Sequence, residues 1–194
     1  MTTPERGPAQ PGCGRYVHYV DVNELSDGEI VLSPLVMDNA VEWLAGQDDE
    51  QIRWFEFARP AELSDVQRFI SETLEAWRVS NGHCYWGIRR KESAPIIGGV
   101  DLRDLGDGAF NLSYVIFPLY RYQGFASKAS ALALRYAHDI LKARTVIIKM
   151  LPGNEYSTRL AEKLGAVYVG TEPSEAGGQY KVYRLDMKDF TNER

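Results

Sequence analysis

Two periodicities of apolar residues alternate along this chain. Leu63, Val66, Ile70, Leu74 and Trp77 recur at helical intervals and predict a helix over Ser64–Ser80. Ser64 and Gln67 have capping-box spacing at its start, and Asn81-Gly82 is a natural stop. Three β-rich runs follow, His83 to Arg90, Ile96 to Leu102 and Ala109 to Phe117, separated by the polar turns Lys91–Pro95 and Arg103–Gly108. This spacing predicts an antiparallel meander. Helical periodicity returns from Gly124 to Lys142, with Phe125, Ala129, Leu132, Ala133, Tyr136, Ala137 and Ile140 on one stripe. Thr145 to Leu151 is nearly continuously apolar, as a buried strand is. Pro152-Gly153 breaks it, and a helix is expected over Asn154–Leu164, with Asn154 as cap and Gly165 as stop. Ala166–Thr171 and Gln179–Met187 read as the last strands.

Upstream the pattern is weaker. Arg15–Val22 is β-rich, and Glu29–Leu35 is a short strand whose Pro34 favours an edge or an end. Met37–Ala45 reads as a short helix with Asp38 as N-cap and Gly46 as stop, and Asp48–Arg53 as a further helical turn. The order of elements is that of an α+β domain around one mixed sheet flanked by helices.

Composition narrows the function classes. The 194 residues suit one domain, and 44% hydrophobic with 25% charged residues is ordinary for a globular chain. A net charge of −5 offers no basic footprint for nucleic acid. No run approaches the ~20 apolar residues of a membrane span, so no membrane partner is expected. Met1–Gly14 is polar and rich in Pro and Gly, without the apolar centre of a signal peptide. We read 1–14 as a disordered lead-in and 15–190 as the domain. Two cysteines, Cys13 and Cys84, fit reduced thiols in a cytoplasmic protein. His18, His83 and His138 are too far apart in sequence to assemble a metal site, and no metal is expected.

The chemistry concentrates in one stretch, Asn111 to Ser127. An extended run ends at Pro118, and a loop carrying Arg121, Tyr122, Gln123 and Gly124 opens the long helix at Phe125, Ala126 and Ser127. Gly124 lets backbone approach a ligand closely, and the first N–H groups of a helix have no internal partners. Together with the helix dipole and the Arg121 charge they suit a diphosphate.

Arg121, Gly124 and Ala126 match the Arg/Gln-x-x-Gly-x-Gly/Ala motif, and this stretch resembles the GNAT N-acetyltransferase superfamily. The resemblance covers Glu29 to Met187 and is strongest from Leu112 to Gly165. It implies a single GNAT-like domain with a splayed sheet, and acetyl-CoA as co-substrate. It also implies pantetheine and thioester contacts from the backbone of Val115, Ile116 and Phe117, with the diphosphate on the loop. Asn154-x-x-Ser157, followed by Glu162-Lys163-Leu164-Gly165, resembles the branch containing ribosomal-protein N-terminal acetyltransferases. In that branch the Asn lies near the pantetheine arm, and the Ser is a candidate to hydrogen-bond or protonate the departing thiolate.

Two positions depart from the family pattern. Ala161 stands where many members carry a tyrosine acid, and Asn111 where many of the branch carry a Glu. The base is therefore sought in Asp101 first and Glu56, within Trp54-Phe-Glu-Phe57, second. The aromatics Trp43, Trp54, Phe55 and Phe57 are either core or the lining of an acceptor pocket. The resemblance implies transfer of an acetyl group to a primary amine by direct attack in a ternary complex. A protein N-terminus, an aminoglycoside-like molecule, a polyamine and an amino acid all fit as acceptor. A homodimer through the final strands is possible. The alternative is a non-catalytic acyl-CoA-binding sensor or interaction module. A dinucleotide-binding enzyme is excluded by the absence of Gly-x-Gly-x-x-Gly after the first strand.

Overall fold

A computed structural model describes residues 24–79, 82–90 and 94–190. The expected lead-in 1–14, the β-rich run 15–22, Asn81, residues 91–93 and the tail beyond 190 lie outside the described residues. Eight strands are described: β1 (Leu25–Ser26), β2 (Val31–Pro34), β3 (His83–Arg89), β4 (Ile96–Gly106), β5 (Ala109–Ile116), β6 (Thr145–Met150), β7 (Val167–Pro173) and β8 (Gln179–Asp186). They form one sheet in the order β1-β2-β3-β4-β5-β6-β8-β7. Only β5 and β6 pair in parallel. The helices are α1 (Ala40–Ala45), α2 (Asp49–Trp54), α3 (Leu63–Val79), α4 (Phe125–Asp139) and α5 (Glu155–Lys163). This is the expected α+β layout, one mixed sheet flanked by helices.

Strand alternation sends the sheet's two faces to different cores. Trp86, Ile88, Val100, Leu102, Phe110 and Leu112 pack in the larger core with α4, whose Ala129, Leu132, Ala133, Tyr136 and Ala137 are buried as the stripe requires. On the other face Leu35, Trp43, Val66, Ile70, Ile96, Val115 and Phe117 make a smaller core beneath α1 and α3. Helix α3 leaves a channel beside this second core, and the site opens there.

Several boundaries differ from the sequence reading. Strand β4 continues four residues past Leu102, although burial stops there, because its exposed end keeps pairing with β5. Asp107-Gly108, at φ 52° and 71°, then turns the hairpin, the positive-φ pair that a two-residue turn needs. Helix α3 starts at Leu63 rather than Ser64, because Asp65 reaches back to accept from the Glu62 N–H at 3.0 Å. Asp38 does not cap the short helix; the Asn39 carboxamide takes the Val36 N–H at 2.9 Å. Ile140 falls just past α4 and is 39% exposed, so it leaves the stripe. No helix among the described residues is long and apolar enough to cross a membrane.

Candidate active site

The parallel pairing of β5 with β6 lasts three residues, Ala109↔Thr145, Phe110↔Val146 and Asn111↔Ile147. Beyond Asn111, β5 stays on β4 as far as Gly98↔Ile116, and β6 stays on β8 as far as Met150↔Lys181. The sheet therefore parts between them. The Phe117 N–H donates to the Ile97 carbonyl at 2.8 Å, on the β4 side. Alternation along the strand turns the Tyr114 and Ile116 N–H groups the other way, into the opening. Pro118 ends the strand and begins a single 3-10 turn, Pro118–Tyr120.

The loop after that turn delivers a bare helix end to the same opening. Gly124 is the N-cap of α4 at φ 85°, a left-handed conformation that glycine adopts without strain. No side chain caps the helix, and its first internal bond runs from the Lys128 N–H to the Gly124 carbonyl at 3.2 Å. The N–H groups of Gly124, Phe125, Ala126 and Ser127 are left without a partner inside the helix. A Cβ built on Gly124 would meet nothing within 4 Å, so the space in front of it is open.

Across the opening, Asn154 caps α5 by accepting from the Ser157 N–H at 3.1 Å. The enclosed cleft has a volume of about 330 Å³. Its lining includes Tyr114, Val115 and Ile116 from β5, Arg121, Tyr122, Gly124, Phe125, Ala126 and Ser127 from the loop and α4, and Asn154 and Ser157 from α5. Two residues expected here stand outside its lining. The Phe117 ring turns to the opposite face, 5.2 Å from the Trp43 ring, and the Gln123 carboxamide donates to the Leu119 carbonyl at 3.0 Å.

Arg121 is already engaged. Its guanidinium forms a two-pronged pair with Asp48, at 2.7 and 2.8 Å, and meets Glu50 at 2.5 Å, while Nε donates to the Ile116 carbonyl at 3.0 Å. The Arg121 guanidinium holds the Asp48 carboxyl below its ordinary value, and Asp48 raises the arginine in return. The loop before α4 is thus tied to the start of α2.

Two buried side-chain atoms in the cleft's lining have no hydrogen-bond partner, Gln51 Oε1 and the Tyr114 hydroxyl. The Tyr114 hydroxyl is sealed from solvent and makes no hydrogen bond. Burial pushes it up to about 12, a rise the nearby Ser157 hydroxyl partly offsets. The two groups therefore interact without forming a full hydrogen bond.

A second cavity, of about 550 Å³, lies on the opposite face of β3–β5 and shares Gln51, Phe55 and Val115 with the cleft. The register places His83, Tyr85, Asp101, Arg103, Ser113 and Val115 on this face, through the pairs His83↔Arg103, Tyr85↔Asp101 and Asp101↔Ser113. Asp101 is buried, accepts from the Ser113 hydroxyl, and pairs with His83 Nε2 at 3.2 Å. Burial, and then the Asp101 charge, push the Tyr85 hydroxyl well above its ordinary value, so it stays protonated. Trp43, Phe55 and Phe57 line this cavity, while Trp54 faces the cleft.

Glu56 lines neither cavity. Its two carboxylate oxygens accept from the Ser174 hydroxyl at 2.8 Å and the Tyr180 hydroxyl at 2.6 Å, which fastens the β7–β8 loop to the end of α2. Among the described residues no group of three His, Cys, Asp or Glu side chains is placed to hold a metal. Cys84 is buried and its thiol is pushed up to about 12, chiefly by that burial, so it stays neutral. Sequence reasoning passed over His83, the Tyr114 hydroxyl and Gln51. The signal for His83 is its place on the same sheet face as Asp101, visible only once the β3–β4 register is known.

Residues 29–167 match the family model described as "Acetyltransferase (GNAT) domain". No curated protein sequence matches the chain significantly. Solved structures superpose on it closely at low identity. The GNAT-family acetyltransferase from Bacillus anthracis shares 15% identity over 86% of this chain and 99% of its own, with a TM-score of 0.74. Ribosomal-protein-S5-alanine acetyltransferase from Vibrio fischeri shares 14%, over 87% and 98%, with a TM-score of 0.71. Microcin C7 self-immunity acetyltransferase, solved in complex with acetyl-CoA and AMP, shares 19%, over 83% and 93%, also at 0.71.

Proposed function

Because the chain belongs to the GNAT acetyltransferase family, we propose that it moves the acetyl group of acetyl-CoA to a primary amine by direct attack in a ternary complex. The observation that carries this reading is the parting of β5 from β6 after Asn111, with two cavities meeting at Val115. One cavity has the shape and donors for the acyl donor, the other the groups for an amine.

In this reading the donor's diphosphate lies against the unpaired N–H groups of Gly124–Ser127, and its pantetheine follows the open edge of Tyr114–Ile116 past Asn154. The Ile116 N–H stabilises the oxyanion that develops on the thioester carbonyl. The amine enters from the second cavity as a free base. Its nitrogen forms the C–N bond, the C–S bond breaks, and the surplus proton passes to the Asp101–His83 pair. Asp101 orients the imidazole and stabilises its protonated form, the usual work of a carboxylate behind a histidine. Ser157 and the partnerless Tyr114 hydroxyl face the sulfur side, where a departing thiolate needs donors. Glu56, held by Ser174 and Tyr180, acts on loop geometry rather than on the amine.

The test is calorimetry with acetyl-CoA alongside an assay for free thiol. Wild-type protein is expected to bind acetyl-CoA and release thiol on addition of an amine. Gly124→Leu strains a left-handed position and fills the open space before the helix, so affinity for acetyl-CoA should fall at least 100-fold while the fold persists. Unchanged affinity in that variant would sink the assignment of the cleft.

A further inference from the structure

The acceptor cavity carries more information than its shape. Its inner wall is aromatic: Trp43 and Phe69 are tilted against each other and each meets Tyr85 in a T-shaped contact, with ring centroids 4.8 to 5.9 Å apart. Phe55 and Phe57, stacked at 5.7 Å, add to the lining. Where the cavity meets the cleft, Gln51 is 6% exposed and its Oε1 has no hydrogen-bond partner. A buried acceptor left unpaired destabilises the fold. An amine N–H arriving at the junction would satisfy it, one step from the Asp101–His83 pair.

The rim has the opposite character to the protein as a whole. Three arginines line the cavity, Arg59, Arg68 and Arg103, although the chain carries a net charge of −5. Arg59 and Arg68 both pair with Asp65, each at 2.8 Å, and Arg59 also reaches Glu62 at 3.8 Å. Arg103 forms no ion pair among the described residues. It lies two residues after Asp101 on the same strand, hence on the same face and about 7 Å further along. A polyamine or aminoglycoside would bring several positive charges against these guanidiniums.

We infer that the acceptor is a monoamine on an aromatic or large aliphatic body that also bears an anionic group, a carboxylate or a phosphate. This rests on the acetyl-transfer reading above. The body fills the aromatic wall, the amine meets Gln51 and the Asp101–His83 pair, and the anion meets Arg103.

Four probe amines test it with full-length protein and saturating acetyl-CoA: L-phenylalanine, tyramine O-phosphate, phenethylamine and spermidine. At least one anionic probe should exceed phenethylamine tenfold in kcat/KM, and which one does identifies the anion as carboxylate or phosphate. Spermidine should stay at background. Arg103→Gln, at an exposed position, should erase the advantage of the anionic probe, bringing its kcat/KM down to that of phenethylamine in the same variant. Equal turnover of phenethylamine, or efficient turnover of spermidine, overturns the inference while leaving acetyl transfer intact. Binding is read separately by quenching of tryptophan fluorescence. If an anionic probe binds tightly, loses that affinity in Arg103→Gln, and yet releases no thiol, the cavity assignment stands and acetyl transfer falls. If no anionic probe outdoes phenethylamine in either readout, the inference falls.

Discussion

The cleft between β5 and β6 and the cavity across the sheet are neighbours that share Val115, but they are built in different ways. The cleft is local. Its strand edge, loop and helix end come from one run, residues 114–127, its far wall from a second, Asn154–Lys163, and a third side from Glu50 to Phe55. The cavity is assembled from α1, the segment after α2, α3 and three strands, and its chemistry depends on register. The donor contacts proposed for the cleft are mostly backbone N–H groups, and those proposed for the amine in the cavity are side chains. Binding the acyl donor should therefore tolerate side-chain changes in the cavity, whereas turnover should not.

The largest break in that symmetry is expected from Asp101→Asn. Asparagine keeps the size and a hydrogen bond to Ser113 but cannot stabilise a protonated His83. A positioned proton acceptor contributes roughly 10²–10⁴-fold to rate. We expect kcat/KM for the amine to fall at least 100-fold while acetyl-CoA affinity by calorimetry moves less than twofold. A parallel loss of acetyl-CoA binding would show that the two regions are not separable.

Tyr114→Phe probes one of the two cleft side chains, with Ser157, expected to act in chemistry. The hydroxyl is buried without a partner, so its removal relieves a cost rather than creating one. The midpoint of unfolding should rise by about 2–4 °C, the shift that ~1 kcal/mol gives in a domain this long. If the hydroxyl solvates the departing thiolate, kcat should fall about tenfold with little change in the KM for acetyl-CoA. A more stable enzyme of undiminished kcat would assign the orphan hydroxyl no part in the reaction. A high pKa also gives a sign. With its folded value raised to about 12 against roughly 10 for a free phenol, Tyr114 leaves stability independent of pH below ~10 and lowers it as pH rises from there through 12, where the unfolded chain ionises first.

This difference in construction also decides what the sequence discloses. Gly124, Asn154 and the run from Tyr114 to Phe117 are legible because loop, cap and strand edge are adjacent in the chain, and spacing alone brings them together. Asp101 is legible only as a carboxylate near the meander. Its partners His83 and Ser113 sit 18 and 12 residues away and meet it through pairings that no local pattern specifies. Trp54-Phe-Glu-Phe57 illustrates the limit. Its aromatics divide between cleft and cavity, while Glu56, at φ 54°, turns away to the β7–β8 loop. The motif around Arg121 suggests a free charge for the diphosphate, and the fold instead spends that charge on Asp48 and Glu50, 73 and 71 residues upstream.

The Arg121–Asp48 pair is the tie between the two regions, since α2 carries Gln51 and leads to Phe55, which line both. Asp48→Asn isolates its charge, because asparagine is as good an N-cap as aspartate and can keep the bond that Asp48 accepts from the Gln51 N–H at 3.0 Å. The Asp48 carboxyl is held below its ordinary value chiefly by the hydrogen bonds from Arg121, so its contribution is complete above the unfolded value of about 3.9. It is lost as pH falls through the lower folded value. Both side chains are partly exposed, which limits the pair to about 1 kcal/mol. At pH 7 the variant should therefore melt about 2–4 °C below wild type, and the gap should close as the pH is taken below about 4. A gap that persists undiminished in acid would mean that Asp48 holds α2 in place by capping geometry, and that its charge on Arg121 adds nothing to the tie.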